Sequence, residues 1–121
     1  MVADQELINS IVNRVTRQVK LSQELEKMRE NPRYPVDVAL SLGRLTTDSD
    51  EFESQGPGWA RDFSSSGMLI LSGIPQERGE LIDIDLTRFT VHPSFARAKV
   101  IHCKELLPSA FEMGVAFVID G

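Results

Sequence analysis

Arg29-Glu-Asn-Pro-Arg33-Tyr-Pro35-Val-Asp-Val-Ala-Leu-Ser-Leu42 is the stretch where the hydrophobic period of this chain changes. Before it, from Asp4 to Met28, there is no proline or glycine. Leu7, Ile8, Ile11, Val12, Val15, Val19, Leu21, Leu25 and Met28 recur there at helical spacing, with Arg14, Arg17, Lys20, Glu24 and Lys27 between them. The pattern predicts a long amphipathic α-helix of roughly six or seven turns. Asn31-Pro32 ends it, because proline disfavours the α conformation in the residue before it. From Pro35 to Leu42 the apolar residues alternate, and the period of two predicts a strand.

Further along, Trp59 to Phe63, Met68 to Leu71, Leu81 to Leu86, Ala96 to Cys103 and Gly114 to Asp120 also read as strands. Leu81-Ile-Asp-Ile-Asp-Leu86 alternates most cleanly. Residues 46–58 are acidic and rich in serine and glycine, and read as a long loop or a hairpin tip. Several short strands with turn signals between them, and no second long helix, indicate a small six-stranded antiparallel barrel. The expected architecture is mainly β: residues 1–28 as an N-terminal helix and 29–121 as the barrel domain, with 29–35 leading into it. Trp59, Phe63 and Phe117 read as barrel core, and Phe89 and Phe95 as either core or exposed. The apolar helix face fits packing against its own barrel, or self-association or docking to a partner protein.

At 121 residues the chain is long enough to bury one core. No apolar run approaches the roughly 20 residues of a membrane span. One cysteine, Cys103, excludes an internal disulfide and fits a reducing, cytoplasmic compartment. The net charge of −5 argues against broad nucleic-acid binding. That charge is uneven: residues 1–34 hold six Lys/Arg against five Asp/Glu, and the remainder seven against thirteen. An anionic ligand is therefore drawn toward Arg29 and Arg33 rather than the body of the protein.

Two motifs carry chemistry. Arg29 and Arg33 lie where helix gives way to strand, and guanidinium groups there suit bidentate phosphate contacts and stacking on purine rings. Taken alone, the pair more often describes solvated charges, which a helix C-terminus favours. Asp62-Phe-Ser64-Ser-Ser-Gly67 lies between two strands. A carboxylate can accept two hydrogen bonds from the ring N–H and amino group of guanine, and a serine hydroxyl adds another contact. Gly67 allows a positive φ and a close backbone approach. Taken alone, this motif equally describes a serine-rich hairpin turn.

Together, and in this order, the motifs resemble those of the PilZ domain, RxxxR followed by [D/N]xSxxG. Arg33-Tyr-Pro-Val and Met113-Gly-Val-Ala-Phe117 resemble the family's first and closing strands, so the likeness runs from about Arg29 to Asp120. The resemblance implies a bacterial receptor for the second messenger cyclic di-GMP. It gives Arg29 and Arg33 the phosphates and guanine faces, Asp62 and Ser64 a guanine edge, and Gly67 the turn. Glu30 stands where many members have a further arginine. Met28 in place of a basic residue goes with one ligand molecule per protomer. Many members also carry a C-terminal helix after the barrel, and this sequence stops at Gly121.

The expected mechanism is non-enzymatic. Ligand would order the Arg29–Arg33 segment over the barrel and move the N-terminal helix. The competing reading is a PilZ-like protein-interaction or oligomerisation module that binds no nucleotide. No cofactor or metal site is expected: His92 and His102 are far apart in sequence, and His102 and Cys103 are strand neighbours that face opposite ways. No Walker loop, GxGxxG or serine triad is present. Cys103 reads as a small buried side chain.

Overall fold

A computed structural model describes residues 3–18, 34–46, 51–90 and 93–119. Asp4 starts the helix by capping: its carboxylate oxygen Oδ1 accepts from the Leu7 N–H at 2.9 Å, satisfying one of the donors a helix N-terminus leaves unpaired. Helix α1 is described over Gln5–Gln18, 14 residues. The expected continuation to Met28 lies outside the described residues.

Six strands follow: β1 Tyr34–Leu45, β2 Phe52–Phe63, β3 Gly67–Ser72, β4 Leu81–Asp85, β5 Phe95–Leu107 and β6 Ala110–Phe117. All pairings are antiparallel, and the order β1-β2-β3-β6-β5-β4 closes on itself as a barrel. The alternation of the sequence sets which face points in. Ile82 and Ile84, Ala96, Ala98 and Val100, and Met68 and Ile70 are buried, each set taken from alternate positions of one strand.

Helix α1 contributes to this core. Ile8 and Ile11 are fully buried in the same cluster as Phe63, Ile84, Leu86 and Met113. The polar contacts of the helix show where it lies. Ala3 N–H donates to Phe95 O at 2.6 Å, Gln5 Nε2 to Ser65 O at 2.9 Å, and Arg14 Nη1 to Phe89 O at 3.0 Å. The helix thus crosses the barrel end formed by the β2–β3 turn and the β4–β5 connection. Its first apolar turns pack on their own barrel.

Closure of the barrel is made by few residues. Strands β1 and β4 pair through Leu42↔Ile84 and Gly43↔Asp83. Asp83, buried, extends the seam with its side chain: Oδ2 accepts from Leu45 N–H at 2.7 Å and Oδ1 from Arg97 Nε at 3.2 Å. Arg44 Nη1 donates to Leu81 O across the same seam.

Three expectations need correction. Residues 52–58 are strand, not loop, because β1 supplies a ladder from Leu45↔Phe52 to Leu40↔Gly58, with one irregularity between Leu42 and Gly43. Pro57 is tolerated there because β3 begins to pair with β2 only at Gly58, so the proline lacks an N–H where β2 has an unpaired edge. Trp59 is not core: it is 40% exposed on the outer face, and its indole N–H donates to the Asp37 carboxylate of β1. Strand β5 runs on to Leu107 and β6 starts at Ala110, so their hairpin projects further than alternation alone indicates. Phe63 is fully buried as expected, with the rings of Phe89 and Phe117 tilted against it at 5.3 and 5.5 Å.

Candidate functional site

Strand β2 ends in a register irregularity between Ala60 and Asp62, after which Asp62 pairs with Leu69 and Phe63 with Met68. The irregularity re-aims the strand end. Asp62 is half-buried, and its Oδ1 accepts from the Leu69 N–H at 3.1 Å.

The turn that follows is organised by Ser64, which is 3% exposed. Its hydroxyl accepts from the N–H groups of Gly67 at 3.0 Å and Ser66 at 3.2 Å, and lies 3.2 Å from both Gly67 O and Ser66 Oγ. Its own N–H donates to Gly67 O at 2.9 Å. Ser64 therefore shapes the turn from inside, where the resemblance gave it a guanine edge to read. Gly67 has no positive φ: among the described residues that conformation belongs to Gly79 and Ser109. Close approach is what requires glycine, since a Cβ at position 67 would collide with the Val115 carbonyl oxygen of β6.

Asp62, Ser64 and Gly67 come together along one side of a groove of about 240 Å³. Ile101 and His102 of β5 form the far side, and Gly114 of β6 lies between. A register irregularity between Val100 and His102 turns both Ile101 and His102 outward. The His102 imidazole lies flat enough on Gly114 that a Cβ there would strike the ring. Sequence reasoning treated His102 as a metal-ligand candidate and dismissed it. Its place in the groove follows from the bulge, which no local pattern announces. Cys103, the next residue, is half-buried.

Arg29 and Arg33 lie outside the described residues. The residues that follow them are informative: Tyr34 pairs with Phe63 and Pro35 with Asp62. The chain thus joins the barrel beside the Asp62–Gly67 turn. None of the described residues lining the groove is Lys or Arg.

A second, larger groove of about 420 Å³ lies on the other side of the turn, between it and α1, lined by Gln5, Asn9, Ser65, Ser66 and Phe117. Among the described residues no three of His, Cys, Asp and Glu converge as metal ligands, and no helix is long and apolar enough to cross a membrane. No protein-family model matches the chain, and no curated protein matches its sequence.

Proposed function

We propose that the chain is a PilZ-like, non-enzymatic receptor for cyclic di-GMP that acts in the bacterial cytoplasm. The observation that carries the reading is the pairing of Tyr34 with Phe63 and of Pro35 with Asp62. It brings Tyr34, the residue after Arg33, beside the carboxylate turn, which supports reading the two motifs, 33 positions apart from Arg29 to Asp62, as parts of one site. Among the described residues the groove offers hydrogen-bond acceptors and an imidazole, but no Lys or Arg. In this reading the charge for a phosphate-bearing ligand comes from Arg29 and Arg33, which the preceding segment carries.

In this reading Asp62 accepts hydrogen bonds from the guanine ring N–H and amino group. Ser64 and Gly67 hold the turn that presents it. The two guanidinium groups neutralise the phosphates and cover a base, and closure of their segment is the signal. Signal reaches the helix by two routes: through residues 19–33, and through the Gln5–Ser65 hydrogen bond that already ties α1 to the turn.

Calorimetric titration of cyclic di-GMP into the protein, beside Arg33→Ala, tests this. Binding in the wild type, with at least a roughly tenfold loss in the variant, is expected from removing charge-assisted bonds of about 1.5–3 kcal/mol each. Silence in both proteins overturns the reading. A second reading, a protein-interaction module without nucleotide, is favoured by the β5–β6 hairpin. There Leu106 and Leu107 are 46% and 67% exposed, more than isolated packing of the barrel requires.

A further inference from the structure

We infer that the groove between α1 and the β2–β3 turn is a second base-binding site, built for the uncharged edge and face of a purine. The inference rests on the reading of the Asp62 groove as a guanine site and extends it to residues outside both motifs.

The groove's volume of about 420 Å³ falls within the range of small-ligand sites. Among the described residues its lining is two carboxamides, two serines and one aromatic ring, with no ionisable side chain. That chemistry suits a neutral, planar, polar group and gives nothing to a phosphate.

The carboxamides are placed by the fold. Gln5 and Asn9 are four residues apart and share one face of α1. Gln5 Nε2 donates to Asn9 Oδ1 at 3.0 Å and to Ser65 O at 2.9 Å, which orients both groups. Within the described residues this leaves Gln5 Oε1 as an acceptor and Asn9 Nδ2 as a donor, side by side on an exposed face. An adjacent donor and acceptor is what the edge of a purine presents in return.

Phe117 supplies the stacking surface. It is half-buried, and its ring is backed by Phe63 at 5.5 Å. Its N–H donates to Ser66 O at 2.8 Å, which fixes the turn to the end of β6. Ser66 lines both grooves. A ligand with two bases joined through phosphates can therefore straddle the turn, one base against Asp62 and the other against Gln5, Asn9 and Phe117. Occupancy of both grooves would make α1 part of the binding surface.

The test follows the side-chain amide signals of Gln5 and Asn9 in nitrogen-15 spectra of the full chain, assigned with Gln5→Ala and Asn9→Ala. Both positions are exposed and helical, where alanine is well tolerated. Cyclic di-GMP is expected to shift these amides together with the backbone signals of residues 62–67. Asn9→Ala should weaken binding about three- to tenfold, the range for a neutral hydrogen bond. If cyclic di-GMP shifts residues 62–67 and leaves both amides unmoved, the inference fails while the receptor reading stands. If cyclic di-GMP shifts nothing, the receptor reading fails and guanosine decides. Shifts of the two amides by guanosine but not by uridine keep the groove as a purine site; no shift overturns it.

Discussion

Asp62 and Asp83 invite comparison, because each is an aspartate on a barrel strand whose carboxylate receives a backbone N–H from a neighbouring strand. Asp83 is 4% exposed and also holds the Arg97 guanidinium. It substitutes for ladder hydrogen bonds at a seam where β1 and β4 share two residue pairs. Asp62 is half-buried at a strand end and faces a groove of about 240 Å³. Chemistry of the residue is the same in both places. What separates a structural carboxylate from a candidate ligand contact is whether the fold leaves space beside it.

The largest expected effect comes from Asp83→Ala. It removes two charge-assisted hydrogen bonds at the closing seam and leaves the Leu45 N–H without its partner. A loss of about 3 kcal/mol is expected, discounted because the Arg97 side chain is 42% exposed and partly screened. Urea denaturation followed by circular dichroism reads it directly. Ligand affinity of the folded fraction should stay at the wild-type level. If it falls with stability, the two aspartates do not have separate roles.

Asp62→Ala should do the reverse. Cyclic di-GMP affinity is expected to drop at least about tenfold, while the lost Leu69 contact costs about 1 kcal/mol of stability. Unchanged affinity in a folded Asp62→Ala protein would remove the guanine-edge assignment. Ser64→Ala comes next. Its hydroxyl is buried within the turn, so substitution should cost about 1 kcal/mol through the Ser66 and Gly67 N–H groups it satisfies. Any fall in affinity should then be smaller than for Asp62→Ala, because the serine acts through the turn. A larger fall would show that its hydroxyl leaves the turn to meet the ligand.

The same contrast explains what could be read from the sequence. Alternation marked the buried faces of β1 and β4, because Leu40, Leu42, Ile82 and Ile84 project inward at a period of two. Asp62, Ser64 and Gly67 were legible as a unit, since a turn and its hydrogen bonds are local. Features made by pairing at a distance were not legible. Phe52–Gly58 has no strand pattern of its own, and its structure comes from the ladder that β1 offers. His102 reaches the groove through a bulge, and Gln5 and Asn9 reach the turn across the barrel end from the far end of the chain. Arg29 and Arg33, outside the described residues, rest on the motif and on the position of Tyr34.

Trp59 gives the smallest effect, and tests the register of β2. Trp59 reads from the sequence as barrel core, but the neighbouring Gly58 and Ala60 take the inward positions and turn the indole outward. A core tryptophan truncated to alanine costs about 3–5 kcal/mol, through lost burial and the cavity left behind. With 40% of its surface exposed and one hydrogen bond to Asp37, Trp59 should cost about 1 kcal/mol. Because it is the chain's one tryptophan, circular dichroism rather than fluorescence must follow the denaturation. A loss near the core value would mean that β2 is shifted by one residue, which would reverse the faces of its side chains. Asp62 lies beyond the irregularity between Ala60 and Asp62 and pairs with Leu69, so this small surface substitution checks β2 up to Ala60 and leaves the site itself to Asp62→Ala.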